Sequence, residues 1–126
     1  MILEQVEWCE QVENFIDVIE HISIHDLQGK VYDNRASCYL AKRDGVTCGA
    51  VVVGVVDGDL LVHAAAGDAH GVGVFAWERP LMELARAEGC EHVRFRTERA
   101  GLVKQAAQNG YRVDHIELVK GVYGQG

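Results

Sequence analysis

Little in this chain would break it, staple it or carry it to a membrane. One proline and no low-complexity tract leave no room for a long disordered linker. No internal repeat and no shift of composition marks a boundary, so residues 1–126 are expected to form one domain with a core of its own. The four cysteines (Cys9, Cys38, Cys48, Cys90) stand far apart, with no Cys-x-x-Cys pair. They are expected to be free thiols in a reducing compartment rather than a disulfide framework. No apolar run reaches membrane-spanning length. The opening Met-Ile-Leu-Glu has neither the basic flank nor the apolar run of a signal peptide, so a cytoplasmic location without a membrane partner is expected. Basic residues are scarce too: 12 Lys and Arg stand against 19 Asp and Glu, a formal net charge of −7. A chain of that charge repels nucleic acid, and no nucleic-acid partner is expected. The one basic cluster, Arg94, Arg96, Arg99 and Lys104, is modest and would suit a cofactor phosphate equally well.

What is present is a clear alternation of element types. Ile2 to Val6 reads as a short edge strand. Trp8, Val12, Phe15, Ile16, Ile19 and Ile22 then form one apolar stripe at helical spacing, with Glu10, Glu13, Asp17 and Glu20 on other faces. Ser23 to Ala36 is polar and poorly periodic, which predicts a loop with at most a helical turn. Ser37 to Lys42 reads as a strand. Asp44-Gly45 and Asp57-Gly58 are hairpin signals on either side of the valine-rich run Cys48 to Val56, a strand buried on both faces. Leu60 to Ala65 completes a three-stranded meander. Val74, Trp77, Leu81, Leu84 and Ala85 mark a helix with Gly89 at its C-cap. Val93, Phe95 and Thr97 alternate in a short strand. Leu102, Val103, Ala106 and Ala107 describe a further helix, stopped at Asn109-Gly110. Tyr111 to Val119 holds one or two last strands, with a bulge or bend near Asp114-His115. The order predicts a mixed α/β sheet of five to seven strands flanked by three to four helices on both sides.

The stretch from Asp59 to Cys90 carries the chemistry. A strand feeds a small-residue turn with Gly71 and Gly73, and then a helix. The first-turn N–H groups of a helix lack intrahelical partners and carry the positive end of its dipole, which makes such a turn an anion site. Gly71-Val72-Gly73 alone is a short signal, since glycine also simply opens turns. It is no P-loop, because no Gly-Lys-Ser/Thr follows, and Ala76 replaces the third glycine of the dinucleotide fingerprint.

Taken together, element order and spacing resemble the GNAT acetyltransferase superfamily over roughly residues 35 to 119. The matching pieces are the loop Asp68-Ala69-His70-Gly71-Val72-Gly73, the helix to Gly89, the strand Val93 to Thr97, and Asn109-Gly110-Tyr111. The segment Thr97-Glu98-Arg99-Ala100-Gly101-Leu102 is similar to small GNAT-like proteins of bacteriophages and prophages. The resemblance implies acetyl-CoA as cofactor. It places the pyrophosphate on the loop, so that Ala69, His70, Gly71, Val72, Gly73 and Val74 would bind it, and the thioester oxygen at N–H groups of Val62 to Ala64. Three positions depart from the family pattern. Asp68 stands where Arg or Gln is usual, Ala106 where a tyrosine acid is frequent, and Pro80 lies in the helix that should face the phosphate.

Acetyl transfer to an amine needs a positioned thioester, an N–H for its oxyanion and a base. His63, on the strand that would bear the centre, is the candidate catalytic base, because imidazole titrates near working pH; a surface or structural histidine is the plain alternative. His21 and His25, an i, i+4 pair without a third ligand, do not make a metal site, and none is expected. Cys90 reads as a buried thiol rather than a nucleophile. Tyr111 and Tyr123 are substitutes for the missing acid. Two functions remain open: an N-acetyltransferase acting on an unknown amine, or a GNAT-fold binding or interaction module without catalysis. An acidic decoy for a basic partner rests on net charge alone. A short last strand, with an open edge beside Ile116, Leu118 and Val122, predicts a homodimer through residues 111 to 123.

Overall fold

The computed structural model describes residues 1–19, 22–67, 78–96, 112–114 and 117–123. Among the described residues seven strands form one sheet: β1 (Ile2–Val6), β2 (Ser37–Arg43), β3 (Val46–Val56), β4 (Asp59–Gly67), β5 (His92–Arg96), β6 (Arg112–Asp114) and β7 (Glu117–Gly121). Their spatial order is β1-β2-β3-β4-β5-β7-β6. Only β4 and β5 run parallel; every other neighbouring pair is antiparallel. The described helices are α1 (Glu10–Ile16), α2 (Ile24–Tyr32) and α3 (Glu78–Ala87).

The meander follows from its turn chemistry. Asp44-Gly45 and Asp57-Gly58 each close a two-residue hairpin, pairing Arg43 with Val46 and Val56 with Asp59. All four turn residues take positive φ, between 52° and 79°. A two-residue turn with both φ values positive twists in the same sense as the strands it joins, and Asp-Gly tolerates that backbone. Between the hairpins, β3 is buried on both faces from Gly49 to Gly54. Its even residues Ala50 and Val52 join Cys38, Leu40, Val12, Ile16 and Leu27 beneath α1 and α2. Its odd residues Val51 and Val53 join Tyr39, Leu60, Val62, Val93 and, from α3, Leu81, Met82 and Ala85. Strand alternation thus supplies two cores, one on each side of the sheet.

Three expectations change. The apolar stripe from Trp8 to Ile22 is not one helix: α1 ends at Ile16, with Asp17 as C-cap and Val18 exposed. Ile19 and Ile22 still pack against the same core, so the stripe recorded burial rather than helix length. Ser23 to Ala36 is not a loop but holds α2. Ser23 caps it, accepting the Asp26 N–H at 3.2 Å, and Leu27 is its buried residue. Lastly, the slip at Asp114-His115 separates two strands of a hairpin, which pairs Asp114 with Glu117. The later strand, β7, does not end the sheet; it lies between β5 and β6. Val122 is not on an open edge either: it is 3% exposed, in the core with α3, and its N–H donates to the Glu91 carbonyl.

Helix ends agree better with the sequence. Gly89 has φ +72° at the C-terminus of α3, and the N–H groups of Gly89 and Cys90 donate to the carbonyls of Arg86 and Ala85. This Schellman ending satisfies carbonyls that the helix leaves over. Pro80 lies within α3, the third of its described residues. The expected helix over Leu102 to Ala107 lies outside the described residues.

Candidate active site

The site is built on an irregularity of β4. Pairing with β3 runs evenly from Asp59 to Val62, then shifts: Val53 faces Val62 while Val52 faces Ala64. His63 is the extra residue of this β-bulge. The shift is visible in the packing, because Val62 lies in the α3-side core and Ala64 in the core under α1 and α2. Simple alternation would have put both on one face. A bulge re-aims side chains and bends the strand that carries it.

The bulge follows directly on the last registered pair of β4 and β5. Their parallel pairing covers Asp59 to Val62 against His92 to Phe95, and no further pair is registered among the described residues. β4 continues for five more residues, still paired to β3 through Gly67. The splay expected between the two strands would lie beyond Arg96, where the chain passes outside the described residues. Beyond Val62 the β5-facing edge of β4 has no strand partner among the described residues.

The ring of His63 lies on β3. A Cβ built on Gly54 would be 2.9 Å from His63 Nε2 and 2.8 Å from the carbonyl oxygen of Arg35. No side chain larger than hydrogen fits there without displacing one of them. Arg35 follows α2 in a second Schellman ending. Asn34 takes φ +58°, its N–H donates to Val31, and the Arg35 N–H reaches back to Lys30 at 2.9 Å. Asparagine is among the few non-glycine residues that adopt this left-handed conformation readily. Gly54, Asn34 and Arg35 were not singled out in the sequence. The available signal was the glycine inside a valine-rich strand, which marks a close approach.

A second polar group occupies the opposite end of β4. Asp59, the first residue of the strand, is buried; its Oδ1 lies 2.8 Å from His92 Nδ1 and its Oδ2 2.5 Å from Arg94 Nε. Burial pushes the Asp59 carboxyl up, but the hydrogen bonds from Arg94 and His92 outweigh it and hold the group below the usual carboxylate range. Arg94 is thus not part of an open basic patch. Arg99 and Lys104 lie outside the described residues.

Of the residues expected to hold acetyl-CoA, Val62 and Ala64 flank the bulge. Ala69, His70, Gly71, Val72, Gly73 and Val74 lie outside the described residues, as do Asp68, Ala106 and Tyr111. Tyr123 is exposed. Cys90 is 1% exposed and its thiol is pushed up, first by burial and then by Glu88 and Asp59, which leaves it protonated and unreactive. Burial likewise pushes Cys38 up to about 11, and its Sγ donates to the Val6 carbonyl. Among the described residues no group of three His, Cys, Asp or Glu is placed to hold a metal ion. Among them, too, no helix is long and apolar enough to cross a membrane.

No family model matches the chain, and no curated protein matches it by sequence. Solved structures do match its fold over nearly its whole length. An IAA acetyltransferase from Bacillus cereus ATCC 14579 superposes with a TM-score of 0.73 at 15% identity, covering 95% of this chain and 98% of its own. A Bacillus subtilis acetyltransferase in complex with CoA gives 0.74 at 10% identity, covering 95% and 97%. A GNAT family acetyltransferase from Elizabethkingia anophelis with acetyl-CoA bound gives 0.72 at 11% identity, covering 94% and 96%. The fold is that of the GNAT acetyltransferases.

Proposed function

We propose that this chain is an N-acetyltransferase that moves an acetyl group from acetyl-CoA to an amine. The observation that carries the reading is the β4 bulge at His63, placed directly after the last registered pair of β4 and β5. A bulge at the end of parallel pairing re-aims the strand backbone and fits a ligand that needs N–H donors. Two of the matching folds were solved with CoA or acetyl-CoA bound. Bound acetyl-CoA would supply an activated thioester carbonyl. The N–H groups of the Val62–Ala64 stretch would stabilise charge on its oxygen. His63 would take the proton lost by the amine as the new N–C bond forms and the C–S bond breaks, the CoA sulfur leaving as a thiolate that is then protonated. On the family pattern, Ala69 to Val74 would hold the pyrophosphate through backbone N–H groups.

Asp68, Ala106 and Pro80 support a second reading, a GNAT-fold binding module without catalysis, since the first adds a repelling charge at the loop, the second removes a frequent acid and the third takes a backbone donor from the helix that would face the phosphate. Calorimetric titration with acetyl-CoA separates the two. Saturable binding is expected, weakened about tenfold or more in Gly71→Val, where a side chain would block the close approach of backbone to phosphate. No heat of binding at millimolar acetyl-CoA would leave the binding module as the answer. Unchanged affinity in Gly71→Val would move the pyrophosphate off the loop.

A further inference from the structure

We infer that Gly54 is a positioning residue for His63: by carrying no side chain it lets the imidazole lie back over β3, and so fixes the rotamer from which the ring meets the amine. The inference rests on the reading of His63 as the base. Ala50 and Val52 of β3 face the core beneath α1 and α2. Gly54 stands two residues further along, on the same face by strand alternation. It is paired with Leu61, one pair before Val53 and Val62, where the bulge begins. A Cβ built on Gly54 would lie 2.9 Å from Nε2 of His63 and 3.6 Å from its Cδ2. The outer edge of the ring therefore covers Gly54. The side chain leaves the bulge and leans back toward the start of β4. Non-bonded heavy atoms prefer about 3.5–4.0 Å, so a methyl group and the ring edge do not both fit.

The same Cβ would lie 2.8 Å from the carbonyl oxygen of Arg35, in the turn after α2. That carbonyl is backbone, held by the chain on both sides. The imidazole instead swings about two single bonds, so it is the part that gives way first, by leaving its rotamer. Strand propensity alone would choose otherwise at position 54. Valine fills positions 51 to 53 and 55 to 56, and a glycine inside a strand weakens it. Gly54 is nevertheless buried, because the ring and the turn close over the space that a side chain would take. It acts through His63 and does not itself touch the substrate.

The test is a cycle of Gly54→Ala, His63→Ala and the double variant. In turnover assays Gly54→Ala is expected to lower kcat about tenfold or more, the cost of a misplaced base, with KM for acetyl-CoA unchanged. In the His63→Ala background the same change should lower kcat no further, since no ring remains to be displaced. The ring is also read directly. Its NMR proton signals, identified by their loss in His63→Ala, should shift in Gly54→Ala while those of His92 stay. Urea midpoints complete the cycle: Gly54→Ala should lower the midpoint less when the ring is absent. Ring signals unmoved by Gly54→Ala overturn the inference. So does a loss of kcat by the same factor with and without the ring. If Gly54→Ala fails to fold in both backgrounds, the Arg35 carbonyl alone forbids a side chain, and the inference falls. If acetyl-CoA does not bind, or His63→Ala turns over unchanged, the reading of His63 as a base fails instead. The ring signals and the midpoints then still decide whether Gly54 sets the rotamer.

Discussion

Asp59 is the described residue whose charge is most deeply buried, at 6% exposure. It stays ionised because Arg94 and His92 both reach it from β5, the strand paired in parallel with its own. Its carboxyl is held below its ordinary value, so folding is favoured by the ionised form. The stabilisation is fully present above about pH 4, the unfolded value, and is lost as pH falls through the lower folded value. Asp59→Asn is expected to cost about 2 kcal/mol at pH 7, the usual worth of hydrogen bonds to a charged group. Urea unfolding at a series of pH values checks the sign: the gap between the two proteins should narrow below about pH 4. A gap that stays constant on acidification would mean that the charge contributes nothing. Nothing in the sequence around Asp59 separates it from Asp57 two residues earlier, which is exposed in the turn. The difference is made by β5, 33 residues away, and local pattern does not carry that. His63 was legible as a histidine on β4, whereas its place at a bulge, next to Gly54, became visible only once β3 and β4 were in register.

At the scale of elements, local chemistry decided what could be read. The two Asp-Gly hairpins were legible because two residues determine the backbone of each. α2 was not, because Gly29 and a mostly polar run hide it and only Leu27 of its residues is buried. Its signal was the pairing of Ser23 with Asp26 three residues on, a helix-start pattern. Since little burial holds α2, its cap should matter. Ser23→Ala leaves the Asp26 N–H without its acceptor and is expected to destabilise the protein by about 1 kcal/mol, while Ser23→Asp, an equally good cap, should restore most of it. The urea midpoint gives the comparison. Equal midpoints for Ser23→Ala and the unaltered protein would show that α2 is anchored by its turn and by Leu27 alone. The acidic first turn adds to the same preference, since Asp26 sits at the positive end of the helix dipole.

On the scale of the whole molecule, the sheet closes by inserting its last strand. β7 pairs with β5 from His92–Gly121 to Arg96–Glu117, and β6 is left outside it with three residues. Sequence pattern predicted strands here but not their order, because strand order is fixed by long-range pairing that alternation does not encode. The consequence bears on the expected homodimer. It was argued from an open edge over residues 111 to 123; among the described strands the outer one there is β6, while Val122 is core. A dimer through that edge would use β6 rather than Val122. Residues after Val119 are therefore structural. Lys120 pairs with Glu78 of α3, Gly121 pairs with His92, and the Val122 carbonyl accepts from Arg86. Truncation after Val119 removes all of these and the burial of Val122, which alone is worth about 1.5–3 kcal/mol. The shortened chain is expected to lose about 3 kcal/mol or more, seen as a lower urea midpoint with sedimentation of the unaltered protein run alongside. A truncated chain as stable as the full one would mean that α3 and β5 hold together without the strand that locks them.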